Sequence, residues 1–315
     1  MNETVKEVAI LLATYNGEKY VAEQLQSLKD QSFQNFVCYI HDDNSTDNTV
    51  FIVKEFENKY PGQFKLVRYE GGHGAVGNFM SLARYVRNNT KEPYIMFCDQ
   101  DDYWYPTKIE KQIKYLKKMD HPDVPHLVYC DQEIVDGELD TIAPSGMDYS
   151  KRKAGVDDSF KELVFENCAA GCTMAINRPE LEIAIDNVVE ENVIMHDWWF
   201  MLIARCFGDI GYINESLMKY RQHGTNTLGA DNKALSGKII KYLHAMKKSM
   251  HGKAVHVKKC EKQVIDISKI NIKCVYKNEI DSIVGIIQKN KVSRMSFFMH
   301  EGYIKPVEAF TLLFV

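Results

Sequence analysis

No stretch of this chain is long and apolar enough to cross a bilayer as a helix; nothing approaches the ~18 consecutive apolar residues that such a span needs. The apolar stretch inside the opening MNETVKEVAILLATYNG runs to only about half a dozen residues, short of a secretory signal core. Positive charge is not in excess. The 39 Lys and Arg stand against 43 Asp and Glu, a formal net charge of −4, which argues against nucleic acid as a bulk electrostatic partner. None of the eight cysteines forms a C-x-x-C pair, and no Cys/His spacing matches a zinc site. Cys168 and Cys172 lie four apart with nothing nearby to complete a ligand set. The cysteines therefore read as reduced, buried small hydrophobes, and the expectation is a soluble cytoplasmic protein, at most attached to a surface. Internal repeats and low-complexity segments are also missing.

What remains is an ordinary globular composition, 45% hydrophobic and 26% charged over 315 residues. That length suits one large domain or a domain with an appendage. The first 130 residues alternate between strand-like and helix-like patterns. A short continuous apolar run at 8–12 predicts a buried strand, and further strand-like stretches fall at 36–40, near 64–69, at 94–98 and at 127–129. Helical spacing follows at Val21, Leu25 and Leu28, over 47–59, around 78–86, and at Ile109, Ile113 and Leu116 behind Pro106. Repeated βα units of this length predict a doubly wound, mostly parallel α/β sheet flanked by helices. Residues 136–160, polar and rich in turn formers, read as a loop or flap. A mixed segment at 160–222 holds the Gly-Cys run 168–172 and the aromatic helix start HDWWF at 196–200.

Ligands of open α/β sheets bind beyond the carboxyl ends of the strands, and here those ends carry three polar clusters. ATYNGE follows the first strand, HDDNSTD the second and DQDD the fourth. Asp, Asn, Ser and Thr also cap helices and make turns, which accounts for Ser45 or Asp47 but hardly for all three clusters. Asp99 and Asp101 carry the strongest chemical signal. Acidic oxygens at a strand end suit a hard cation, Mg2+ or Mn2+, held by one or two carboxylates with substrate phosphates completing the shell. Gly72, Gly74 and Gly77 match G-x-G-x-x-G, the dinucleotide fingerprint, with Asp99 about 20 residues on. The preceding strand is charged and third in order, so a loop flanking a nucleotide is the better reading.

Taken in order, ILLATYNGEKYVAEQLQSLKDQSF, YIHDDNSTDNT, YIMFCDQDDYWYPTKI, HDWWF and YRQHGTN resemble the family 2 glycosyltransferases, which have the GT-A (Rossmann-like) fold. The similarity covers about two-thirds of the chain, residues 8–120 most closely. It implies inverting transfer of a sugar from a nucleoside diphosphate sugar, with a divalent metal. By that resemblance Thr14 and Tyr15, with their neighbours Asn16 and Glu18, border the nucleotide, Asp43 contacts base or ribose, and Asn78 faces the nucleotide. Asp99, Gln100 and Asp101 occupy the family's DxD position. Asp101 is the direct metal ligand, and Asp99 and Gln100 lie near ribose or metal-bound water. His223 in YRQHGTN approaches the metal or pyrophosphate. The family's ED pair corresponds here to His196-Asp197, which makes Asp197 the candidate general base. Histidine in place of Glu fits an HDWW variant associated with rhamnosyltransferase-like members, so L-rhamnose from its dTDP donor is the leading expectation, with UDP-glucose or UDP-galactose as alternatives.

The residues support that role on their own terms. An inverting displacement needs one base for the acceptor hydroxyl proton, facing a stabilised leaving group. Apolar Trp198 and Trp199 beside Asp197 would raise its pKa and stack on an acceptor sugar. The domain reading follows: a catalytic unit over 1–230, donor half about 1–130 and acceptor half about 131–230, then a basic helical extension over 231–315. The family's processive members carry QxxRW and membrane spans. Both are missing here, so one or a few sugars are added to a saccharide acceptor in surface polysaccharide synthesis. From Ser236 to Cys260 there are seven Lys, three His and no acid. Ile239, Ile240, Leu243, Met246 and Met250 fall at helical spacing there, as in a helix lying on an anionic membrane. Such peripheral contact with the inner face of the plasma membrane would suit a lipid-linked acceptor. Two readings of other classes stay open, a nucleotidyltransferase and a non-catalytic nucleotide-sugar-binding module; glycoside hydrolysis would not call for the DxD cluster.

Overall fold

The computed structural model describes residues 5–68, 72–119, 121, 123–222 and 255–301. Its first strand shows how the fold is built. Strand β1 (Val8–Thr14) pairs in parallel with β2 (Phe36–Asp42) on one side and β4 (Tyr94–Asp99) on the other, and β3 (Phe64–Leu66) adds to β2. A strand with neighbours on both edges and helices on both faces must be apolar throughout. Residues 8–12 are therefore fully buried, with Ala9 and Leu11 in one core and Val8, Ile10 and Leu12 in the other. This two-residue alternation lets a continuous run serve two cores at once.

One face is covered by α1 (Val21–Lys29), α2 (Thr49–Lys59) and α4 (Lys108–Lys118). Their apolar residues are those spaced for it: Val21, Leu25 and Leu28, Val53, then Ile109, Ile113 and Leu116. The other face takes α3 (Gly74–Asn89), α7 (Arg178–Asp186) and α8 (His196–Phe207). Helix α3 starts at Gly74, inside the glycine fingerprint, so those glycines open a helix instead of forming a long loop. Gly74 has a φ of +75°, and a Cβ on Gly77 would lie 2.2 Å from the carbonyl carbon of Gly72. Only glycine closes that turn.

Beyond β4 the sheet changes character. The order is β3-β2-β1-β4-β8-β6-β9-β5, with β7 paired to β6. Here β5 is Tyr103–Trp104, β6 His126–Val135, β7 Thr141–Ala143, β8 Met174–Asn177 and β9 Asp209–Arg221. Strand β8 runs antiparallel to both β4 and β6, whereas β6 and β9 are parallel. The parallel expectation thus holds for the first half, and the second half is mixed. The strand expected at 127–129 is ten residues long, and the flap at 136–160 contains β7 and the short helices α5 (Gly146–Tyr149) and, at its end, α6 (Phe160–Leu163).

The extension does not stand apart. Helix α9, described over 255–268, is followed by α10 (Lys277–Ile287) and α11 (Lys291–His300). Val257, Cys260, Val264, Ile267, Ile280, Ile283 and Phe298 belong to the same core as α8. No described helix is long and apolar enough to cross a membrane. The amphipathic stretch at 239–250 lies outside the described residues, as does His223.

Candidate active site

The loops after β1, β2 and β4 meet at one edge of the sheet. Much of their polarity is spent on one another. Asp42 accepts from Thr14 Oγ1 at 2.8 Å, from the Ser45 hydroxyl at 2.6 Å and from the Ser45 N–H at 2.8 Å. Asn16, with φ +44°, accepts the Thr46 N–H and donates its own N–H to Ser45 Oγ, both at 2.8 Å. Glu18 turns away from the edge; its carboxylate takes the N–H and side-chain amide of Asn48 at the start of α2. Such bonds are what Asx and helix-capping side chains supply. Glu18 therefore braces the loop and is not among the residues lining the cavity.

A cavity of about 1070 Å3 opens at this edge. Thr14, Tyr15, Asn16, Asp43, Asn78, Asp99, Gln100 and Asp101 line it, which brings eight of the expected residues together. Asn78 is held by two bonds, donating to the Thr14 carbonyl at 3.2 Å and meeting His41 Nδ1 at 2.8 Å. Asp43 accepts from His73 at 2.6 Å and from the Gly74 N–H at 2.7 Å. Burial works to raise the Asp43 carboxyl, but those bonds and the neighbouring histidines hold it below its usual value. Its carboxylate closes the glycine turn onto β2. Gln100 is tied differently from expectation. Its amide takes the Tyr15 N–H and donates to the Tyr15 carbonyl, both at 2.9 Å, copying a strand pairing. The result is a Tyr15 ring, 57% exposed, fixed at the cavity's rim.

Behind that rim the acidic loop is crowded. Burial first, then the charge of Asp101, pushes the Asp99 carboxyl up to about 7. Asp102 is buried and driven up in the same way, with Asp101 and Asp99 adding to the effect. Ligand atoms of Asp99, Asp102 and Cys172 all lie within 4.8 Å of one another. The Cys172 thiol is pushed well up by burial and by both carboxylates, so it stays protonated and is a poor partner for a soft metal. Asp99 and Asp101 line the cavity, whereas Asp102 and Cys172 do not. This donor set fits a hard dication at Asp99 and Asp101, whose oxygens are of the right type and whose repulsion such an ion would relieve.

The other side of the cavity is built on the start of α8. Asp197 is buried, accepting the Gly171 N–H at 3.1 Å and the Trp198 N–H at 2.6 Å. Burial raises its carboxyl to about 6, with those N–H groups pulling the other way. Its charge also reaches Asp99. Gly171 belongs to a 3-10 turn, Gly171–Thr173, pressed so close to α8 that a Cβ would sit 2.5 Å from His196 Nε2. His196 itself is buried and stacked on Phe79 at 4.1 Å, and burial lowers it to about 3, which keeps the imidazole neutral.

Trp198 and Trp199 are not acceptor platforms. Both are buried and neither lines the cavity. Trp198 Nε1 donates to the Leu163 carbonyl at 2.6 Å and Trp199 Nε1 to the Ala184 carbonyl at 3.0 Å. Eleven of the twelve residues of α8 are buried, and a helix apolar all round is a core helix. The rest of the cavity is lined by Tyr129, Asp131, Met147, Arg152 and Asn167, among others. Asp131 accepts the N–H groups of Gly146 and Met147 at 3.1 Å and the Ser145 hydroxyl, fixing α5 at the cavity lip. The sequence singled out the 168–172 run without assigning it a role. Asp131 carried no signal beyond its place at a strand's edge.

The model of the family described as glycosyl transferase family 2 matches residues 9–182. The dTDP-rhamnosyl transferase RfbG of Shigella flexneri is 33% identical over 227 residues, 70% of this chain and 74% of that protein. Among solved structures, residues 1–349 of S. aureus TarS in complex with UDP-GlcNAc superpose with a TM-score of 0.56 at 15% identity, covering 88% of this chain and 70% of that one. The mannosyltransferase PcManGT of Pyrobaculum calidifontis, solved with GDP-Man and Mn2+, gives 0.52 at 14% identity over 99% and 88%. At these identities the structural likeness is one of fold, and that fold is GT-A. By the family match and the S. flexneri relative, the chain belongs to the family 2 glycosyltransferases.

Proposed function

We propose that this glycosyltransferase transfers its sugar with inversion, assisted by a divalent cation, to a saccharide acceptor in surface polysaccharide synthesis, and that its donor is dTDP-L-rhamnose. The observation that carries the reading is that Asp197 borders the same cavity as Asp99 and Asp101. Tyr15, Asp43 and Asn78 hold the nucleotide end of the donor. Asp99 and Asp101 would hold Mg2+ or Mn2+, which supplies charge neutralisation of the diphosphate leaving group. Asp197 takes the proton of the acceptor hydroxyl as that oxygen bonds to the anomeric carbon, and the bond from that carbon to the diphosphate breaks. A carboxyl raised to about 6 is ionised at neutral pH yet basic enough for this work. The S. flexneri relative supports rhamnose. The acceptor is a saccharide, lipid-linked, with the enzyme resting on the inner membrane face through 236–260.

The test is a screen of nucleoside diphosphate sugars by thermal shift, with and without Mn2+. Stabilisation by dTDP-rhamnose that needs Mn2+ is the expected outcome. A response to UDP-glucose or UDP-galactose instead would replace the donor, and no response to any such donor would sink the reading.

A further inference from the structure

Arg221 ends β9 and is 2% exposed. A buried guanidinium is costly unless its arms are paired, and here they reach three separate segments. The main-chain N–H of Arg221 donates to Asp102 Oδ1 at 3.2 Å, and Nε donates to the Asp101 carbonyl at 2.8 Å. One terminal nitrogen donates to the Gly137 carbonyl in the turn between β6 and β7, and the other to the Glu23 carboxylate on α1. The guanidinium carbon lies 4.4 Å from the centre of the Tyr20 ring.

The acidic loop it grips is self-repelling. Ligand atoms of Asp99 and Asp102 lie within 4.8 Å of one another, with Asp101 between them in the chain. Left to itself such a loop would relax by moving its carboxylates apart. Arg221 grips it at the Asp101 carbonyl and the Asp102 carboxylate, and Asp99 and Asp101 line the cavity. The planar fork matters, because a lysine offers a single point charge and cannot span these partners at once.

We propose that Arg221 is a positioning residue for the cation site. It sets the spacing of Asp99 and Asp101 and ties that spacing to α1 and to the β6–β7 turn. The proposal rests on the metal dependence proposed above, and Mn2+ binding without donor or acceptor tests it. Free Mn2+ is followed by its paramagnetic resonance signal in titrations of the full chain, Arg221→Lys and Glu23→Gln. Arg221→Lys is expected to raise the Mn2+ dissociation constant about tenfold or more, as for a lost charged hydrogen bond. Glu23→Gln, at a side chain that is 47% exposed, is expected to raise it about threefold. If Arg221→Lys does not fold, Glu23→Gln decides alone. A mere staple would lower the melting temperature and leave the Mn2+ midpoint where it was, and that result overturns the proposal. Mn2+ binding absent from the unaltered chain would bring down the metal reading, and this proposal with it.

Discussion

The two acidic centres of the cavity are built in opposite ways. At the end of β4, three carboxylates crowd together, and burial followed by the charge of the neighbours pushes Asp99 and Asp102 up; at the start of α8, burial raises a single carboxylate. On the proposed reading the first arrangement would take a cation and the second a proton. Burial is common to both, so the charge of neighbouring carboxylates is what sets the two centres apart. The supports differ too. The β4 loop is braced by Arg221 and, through its own Gln100, by the Tyr15 main chain, whereas Asp197 is fixed by the main-chain N–H groups of Gly171 and Trp198.

The sharpest way to break this comparison is Asp197→Asn, which keeps the shape and one of the two acceptor oxygens but removes the base. Turnover is expected to fall on the order of 10^2–10^4-fold, with thermal stabilisation by donor and Mn2+ retained. Unchanged turnover would move the base elsewhere. The same carboxyl predicts how the unaltered enzyme responds to pH. Because Asp197 must be ionised to accept a proton, kcat/KM should rise with pH and reach half its plateau near about 6. Stability runs the other way. The folded carboxyl binds its proton more tightly than the unfolded one, so its contribution is full below the unfolded value of 3.8 and is lost as pH rises through about 6. Melting curves and initial rates across pH 4–8, taken as roughly the range over which a carboxyl of this kind titrates, separate the two trends.

A smaller effect is expected from Gly171→Ala, which forces a methyl against His196 and shifts the turn that holds Asp197. Overpacking of this kind costs about 1–3 kcal/mol; thermal melts should show the loss, and a melt like that of the unaltered chain would mean the turn yields freely. Smallest is Gln100→Ala, on the cation side. It removes the clamp on Tyr15, worth about 1 kcal/mol, and should raise the donor KM several-fold while leaving kcat nearly unchanged. A fall in kcat alone would return Gln100 to the reacting centre.

These contrasts also explain what could be read from the residues beforehand. Strands β1, β2 and β4, with the helices between them, declare themselves because each is a local run whose period is that of its own structure. The clusters at their ends mark the cavity for the same topological reason. Pairing is another matter. Nothing in the residue types says that Glu18 serves Asn48 while Asp43 serves the glycine turn, since both are acids at a strand edge. The tryptophans misled because HDWWF reads identically as a stacking surface or as a core helix; only packing on both sides of α8 decides it. Strand β9, whose DIGYINESLMKYR alternates poorly, is held by its partners β6 and β5. Arg221 at its end therefore had no readable partner.

The docking of the extension onto α8 has a consequence for how the enzyme comes into being. The Trp198 ring lies 5.4 Å from that of His256, Gln263 accepts the Ile194 N–H, and the Val275 N–H bonds the Cys206 carbonyl. A ribosome delivers the loops after β1, β2 and β4 before these partners. The growing polypeptide can assemble β1 to β4 while the helix bearing Asp197 still has an uncovered side. The packing around Asp197 is thus completed by a part of the chain made after the loops of β1, β2 and β4.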